Sequence, residues 1–128
     1  MVNNREKGSV QERKAAQFLI NNGLTILEMN FSIRMGEIDI ICKDNDTYVF
    51  AEVKYRKDNS HGYPYEAVTY RKQKTICRVA TVYQKMKKLP DNGSYRFDVI
   101  SILGDEITWY NVRESTHYTG ADISKSLR

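Results

Sequence analysis

Apolar positions recur along this chain at helical spacing, then at alternate residues, and then through the same two patterns again. Across residues 9–22, Val10, Ala15, Phe18 and Leu19 mark one face of a helix, and Asn22-Gly23 supplies its stop. Ser9 followed by Glu12 has the spacing of a capping box at the start of that helix. After a short apolar stretch, residues 24–29, the alternation and β-branched content of residues 36–42 predict a strand. Residues 43–47 are a turn cluster, and residues 48–54 predict the second strand of a hairpin. A loop containing His61-Gly62-Tyr63-Pro64-Tyr65 leads into a second helix. Its apolar stripe is Val68, Ile76, Val79, Ala80 and Tyr83, and it stops before Pro90. Residues 95–103 alternate again, turn at Gly104-Asp105 and return as residues 106–112. Helix, hairpin, helix, hairpin predicts one α/β domain over residues 1–112, a small mixed sheet with helices packed against it. Residues 113–128 lose all periodicity and are expected to form a polar, mobile tail.

Composition narrows the class without identifying the chemistry. A length of 128 residues, 41% hydrophobic and 28% charged, suits a single globular domain and excludes a disordered chain. The longest apolar run, residues 48–51, falls far short of the roughly 20 residues of a membrane span. No apolar segment follows the first seven residues, so a soluble cytoplasmic protein without a membrane partner is expected. Cys42 and Cys77 have no zinc or redox spacing and are expected as reduced, buried thiols. The net charge of +4 is unevenly spread, because residues 71–88 hold seven basic side chains and no acidic one. Such a segment is either the footprint of a polyanion or a solvated helix face, and charge alone leaves both open.

Asp39, Glu52 and Lys54 carry the candidate chemistry. Residues two apart on a strand share a face, so Glu52 and Lys54 project together, away from Val49, Ala51 and Val53. By the same alternation Glu37, Asp39 and Ile41 share a face, with Ile38 and Ile40 on the other. If Asn45-Asp46 is a two-residue turn, Asp44 pairs Thr47, Lys43 pairs Tyr48, and Asp39 comes to lie opposite Glu52 and Glu37 opposite Lys54. Two ionised carboxylates so placed repel by roughly 3 kcal/mol at an effective dielectric near 20. A hard divalent cation turns that repulsion into a binding site, since Mg²⁺ is held by one or two carboxylates together with phosphate oxygens. The lysine cannot ligate while protonated, but it can orient a water or stabilise a developing negative charge. From these residues alone, an ordinary exposed strand face of alternating Glu and Lys is the favoured reading.

Residues 36–41, 49–56 and 96–100 (GEIDII, VFAEVKYR and RFDVI) resemble the successive blocks of the bacterial YraN family. Glu12 with Ala15-Ala16 and Phe18-Leu19, and Lys74 in the basic helix, match it as well, so the likeness runs from about Gly8 to Val112. The resemblance implies a restriction-endonuclease-like core of the PD-(D/E)xK type, similar to Holliday-junction resolvases. Asp39 and Glu52 would then bind Mg²⁺, with Mn²⁺ as a substitute, near the Val53 carbonyl. Lys54 would position the attacking water, and Glu12 would reach in from the first helix directly or through water. Without the resemblance Glu12 is an ordinary solvated or capping glutamate. The chain departs from the family pattern at Gln11, where a Gly is usual, and at Tyr55, where a Thr is frequent. Neither removes a ligand, and Tyr55 should point away from Lys54.

The leading expectation is a Mg²⁺-dependent endodeoxyribonuclease acting on branched or damaged DNA. Arg71, Lys72, Lys74 and Arg78 of the basic helix, with Arg56, would hold the phosphate backbone with little base specificity. The alternatives are a nucleic-acid-binding module of the same fold that does not cut, and a protein-interaction domain whose basic helix meets an acidic partner. Symmetric cutting of two strands would call for a homodimer, although no self-complementary surface is readable. His61 is expected to be a solvated loop residue, as is usual for a lone histidine outside a motif; His117 is the only other histidine. Tyr63 and Tyr65 either stack on unpaired bases or cover the core edge. Asp98 is expected to play a structural hydrogen-bonding role. The absence of a P-loop, a dinucleotide fingerprint and a Ser/His/Asp signature leaves ATP hydrolysis and redox chemistry unsupported.

Overall fold

The computed structural model describes residues 4–60, 62 and 69–113. The expectations for Val68, His61, Tyr63, Tyr65, His117 and the tail beyond residue 113 therefore lie outside the described residues. The first helix, α1 (Asn4–Asn21), starts earlier than its apolar stripe. Ser9 is consequently an interior residue and not a cap: its Oγ accepts from Arg13 Nη1 at 2.9 Å, one turn on. Ala15 and Leu19 are fully buried as expected, whereas Val10 is exposed. The helix ends at Asn22-Gly23, where Gly23 takes a φ of 90° and Leu24 N donates back to Leu19 O at 3.0 Å.

A strand follows directly. β1 (Thr25–Ile33) pairs antiparallel with β2 (Gly36–Asp44), so the first hairpin is in fact a three-stranded meander with β3 (Thr47–Arg56). The alternation of β1 is obscured by a bulge between Ile26 and Glu28 and by Asn30, which adopts a φ of 55°. The β2–β3 turn is the two-residue one, with Asp44 opposite Thr47, Lys43 opposite Tyr48 and Asn45 at a φ of 53°. α2 (Tyr70–Met86), capped by the Thr69 hydroxyl, carries the chain across to β4 (Ser94–Leu103). β4 lies parallel to β3, and β5 (Glu106–Arg113) returns antiparallel through the Gly104-Asp105 turn. The result is a mixed sheet of five strands in the order β1-β2-β3-β4-β5 with a helix on each face.

Each face has its own core. Leu19 and Ala15 of α1 pack with Ile40, Cys42, Val49, Ala51, Ile100 and Ile102. Ile76, Val79 and Tyr83 of α2 pack on the other face, with Ile38, Ile41, Phe50, Tyr95 and Val99 among their neighbours. Cys42 and Cys77 are buried thiols on opposite faces, as expected of small hydrophobes, and burial pushes the Cys42 thiol up to about 12. Asp98 is fully buried and accepts from Arg96 Nε at 2.9 Å, Arg96 Nη2 at 3.0 Å and Trp109 Nε1 at 2.7 Å. It ties β4 to β5, the structural role expected of it. Among the described residues no helix is long and apolar enough to cross a membrane.

One expectation about β2 fails. Ile38 and Ile40 were expected on one face, but Ile38 packs with α2 and Ile40 with α1. The same switch occurs in the neighbouring strand, where Met29 packs on the α1 side and Phe31 on the α2 side. Asn30 lies between those two residues of β1, and Asp39 lies between Ile38 and Ile40. The left-handed residue in β1 accounts for the break, since it rotates the strand locally and β2 follows its partner.

Candidate functional site

The irregularity at Asp39 opens the sheet. The β2–β3 ladder runs from Asp44–Thr47 to Ile40–Ala51 and stops there. Asp39 and Glu52, and likewise Glu37 and Lys54, are next in register but are not paired through their backbones. Beyond this point β2 continues against β1, and β3 continues against β4. Asp39 takes part in the separation, because its Oδ2 accepts the Val53 N–H at 2.8 Å. The carboxylate thus satisfies an amide that the partner strand no longer reaches.

Glu52 stands in this fork, 3% exposed. Its Oε1 faces two ammonium groups, Lys54 Nζ at 3.4 Å and Lys72 Nζ at 3.5 Å. Its Oε2 is buried without a hydrogen-bond partner. Burial, then the charge of Glu52, push the Asp39 carboxyl up to about 8, against the pull of the Val53 amide. Glu12 enters from α1. Its carboxyl is also raised, by burial first, while a hydrogen bond from the Asn30 side chain pulls it down and Glu37 and Glu52 raise it further. The fork therefore gathers negative groups whose mutual repulsion the protein only partly relieves. A buried carboxylate oxygen with no donor, next to a second carboxylate that resists ionising, fits a divalent cation. Among the described residues no group of three or more Asp, Glu, His or Cys side chains is close enough to hold a metal ion. Such an ion would complete its shell with water and phosphate oxygens, as Mg²⁺ usually does.

The residues expected at the site are divided between two places. Asp39, Glu52 and Lys54 come together, with Glu12 near enough to feel the charge of Glu52. Of the basic residues expected on a phosphate backbone, Lys72 turns inward to Glu52, whereas Arg71 and Arg78 are exposed on α2. Lys74 lies with its Nζ 5.0 Å from the Tyr70 ring centre. Arg56 closes β3, with its Nε buried and unpartnered. Tyr55 is exposed on the strand between Lys54 and Arg56.

Sequence reasoning missed Asn30 and the ion pair that Lys72 makes with Glu52. The signal for Lys72 is present: Ile76, Val79 and Tyr83 form the buried stripe of α2, and one turn back from Ile76 is position 72. No periodicity marks Asn30, although Asn is among the few residues that readily take a left-handed backbone.

A family model described as "Uncharacterised protein family UPF0102" matches residues 11–102. A UPF0102 protein of Fusobacterium nucleatum is 45% identical over 108 residues, covering 84% of this chain and 90% of that protein. One of Clostridium beijerinckii is 44% identical over 125 residues, covering 98% and 95%. One of Photobacterium profundum is 41% identical over 112 residues, covering 85% and 90%. The matched residues include Glu12, Asp39, Glu52, Lys54 and the first half of the fold's last hairpin.

Proposed function

This chain belongs to the uncharacterised protein family UPF0102, the YraN family, and from that premise we propose that it is a Mg²⁺-dependent endonuclease of the restriction-endonuclease-like fold. Its substrate would be DNA, branched or damaged, in the cytoplasm. The observation that supports this most is the partnerless Glu52 Oε2 beside Asp39 at the point where β2 and β3 part. A sheet that needed only stability would place an apolar pair there, as it does at Ile40 and Ala51.

Asp39 and Glu52 would hold the cation, whose contribution is Lewis-acid stabilisation of charge building on the phosphoryl oxygens. Lys54, fixed by the strand that carries Glu52, would orient the attacking water and offset the same charge. Glu12 is held by Asn30 on the α1 side and would act through water and not as a direct ligand, given the spacing of the acids. Arg71, Lys74 and Arg78 would track the phosphate backbone along α2.

Calorimetric titration of Mg²⁺ and Mn²⁺ tests the reading, with wild type compared against Asp39→Asn/Glu52→Gln. Binding is expected in the wild type, alone or with a nonhydrolysable DNA junction, and is lost in the double variant. Lys54→Ala should then abolish cleavage, a loss of about 100-fold or more, while salt-sensitive DNA binding survives. A wild type that takes up neither ion in either condition overturns the nuclease and leaves a binding module.

A further inference from the structure

We infer that Lys72 is a second lysine of this site, held on Glu52 while the carboxylates are metal-free and released to a substrate phosphate when a divalent cation takes them. The inference rests on the nuclease reading above and adds to it the group that couples metal uptake to DNA binding.

Three observations carry it. Lys72 reaches Glu52 from a different element than Lys54 does, so one carboxylate oxygen is shared by ammonium groups from β3 and from α2. Both separations, 3.4 and 3.5 Å, are longer than a well-formed charged hydrogen bond. Glu52 therefore holds Lys72 electrostatically and loosely, and the Lys72 side chain is 39% exposed against 24% for Lys54. A flexible four-carbon stem on a partly exposed side chain can swing where a strand-bound neighbour cannot.

Second, position 72 continues the buried stripe of α2, where an apolar residue would pack on the sheet more cheaply. The chain instead places an ammonium over the fork.

Third, the first turns of α2 carry Arg71, Lys72 and Lys74 and no acidic residue in the first turn, which opposes the helix dipole. Among the ion pairs of the described residues, Glu52 is the one acid that meets any of these three cations. With a cation held by Asp39 and Glu52, the Glu52 carboxylate would no longer be available to Lys72, and the added positive charge would disfavour the ammonium there. Lys72 then has an anion to gain from a phosphate entering beside the metal and none to lose. The acids change partner, and the lysine follows the charge.

The prediction is reciprocal and can be read without turnover. Titrate Mn²⁺ into wild type, Lys72→Met and Lys72→Gln, each checked by its melting temperature, and measure binding of a nonhydrolysable DNA junction with and without Mn²⁺. Without DNA, both variants should bind Mn²⁺ roughly three- to tenfold more tightly, because one of the two ammonium groups competing for Glu52 is gone. Mn²⁺ should strengthen junction binding by wild type about tenfold, and this gain should shrink towards one in both variants. Lys72→Arg should keep the gain. Lys74→Met should weaken junction binding by the same factor whether or not Mn²⁺ is present. If the Lys72 variants bind Mn²⁺ as wild type does and keep the full gain, Lys72 is a structural tether and the inference is overturned while the nuclease stands. If wild type itself takes up no Mn²⁺ with the junction present, the nuclease reading falls, and this inference with it.

Discussion

Asp39 is an acid held where a neutral group would cost less, and this has a consequence for stability. Its carboxyl sits at about 8 in the folded chain against 3.8 ordinarily, because of burial and the neighbouring Glu52. The folded state therefore binds this proton more tightly than the unfolded state does. The stability linked to the proton is complete below pH 3.8 and is lost as pH rises through about 8. In the absence of metal, melting temperature should fall across this window, and Asp39→Asn should flatten the fall. At pH 8.5 the variant should melt about 2–6 °C above wild type, as measured by circular dichroism in EDTA. An equal decline in both proteins would show that another group sets the slope. Glu52 and Lys54 were legible in the sequence because strand alternation places them. Asp39 was legible because the Asn45-Asp46 turn sets its register against Glu52, although the alternation of β2 breaks at that residue. Asn30 was not, since it acts through a backbone angle that no hydrophobic pattern encodes.

Among the elements, α2 and β2–β3 are the ones that build the site, and their contact is close. A methyl group added at Gly36, where β2 begins, would stand 2.7 Å from Thr75 Cγ2 and 3.4 Å from Val79 Cγ2 of α2. Thr75 cannot easily yield, as its Oγ1 donates to Arg71 O at 3.2 Å. Gly36→Ala should therefore cost about 1–3 kcal/mol in urea denaturation, by forcing the helix off the strand. It should also tighten Mn²⁺ binding in the absence of DNA more than a distant substitution of equal stability cost does, since shifting α2 takes the Lys72 ammonium off Glu52. A loss of stability with unchanged Mn²⁺ affinity would mean that the fork does not depend on the seat of α2. The helices, the second and third strands and the last hairpin were readable from period and turn chemistry. β1 was not, because its bulge and left-handed residue fall within nine residues and erase the alternation that would have marked it. The left-handed Asn30 also lies beside the fork, between the partners of Ile38 and Ile40, so the segment that hid the strand also shapes the site.

At the scale of the whole molecule, charge and sheet architecture favour one end. Glu12 comes from the helix on one face and Lys72 from the helix on the other, and each interacts with Glu52, where the strands separate. Residues 71–88 carry seven basic side chains, while the remainder of the chain is net negative. On the nuclease reading a polyanion would be steered to α2 and repelled elsewhere, so affinity should depend strongly on salt. If Arg71, Lys72, Lys74 and Arg78 each neutralise one phosphate, log affinity should fall against log salt with a slope of roughly −3 to −4. Arg71→Gln and Arg78→Gln should each reduce that slope by about one, alike on duplex and junction, because a phosphate contact carries no base information. Lys85, Lys87 and Lys88 lie at the other end of the helix, where they suit its dipole and Lys87 stacks on Tyr83. Their replacement by Gln should leave the slope unchanged in fluorescence anisotropy. If these lysines set the slope instead, the phosphate track runs past the far end of α2. The fork would then have no phosphate to complete a metal shell, and only the fold would remain of the nuclease.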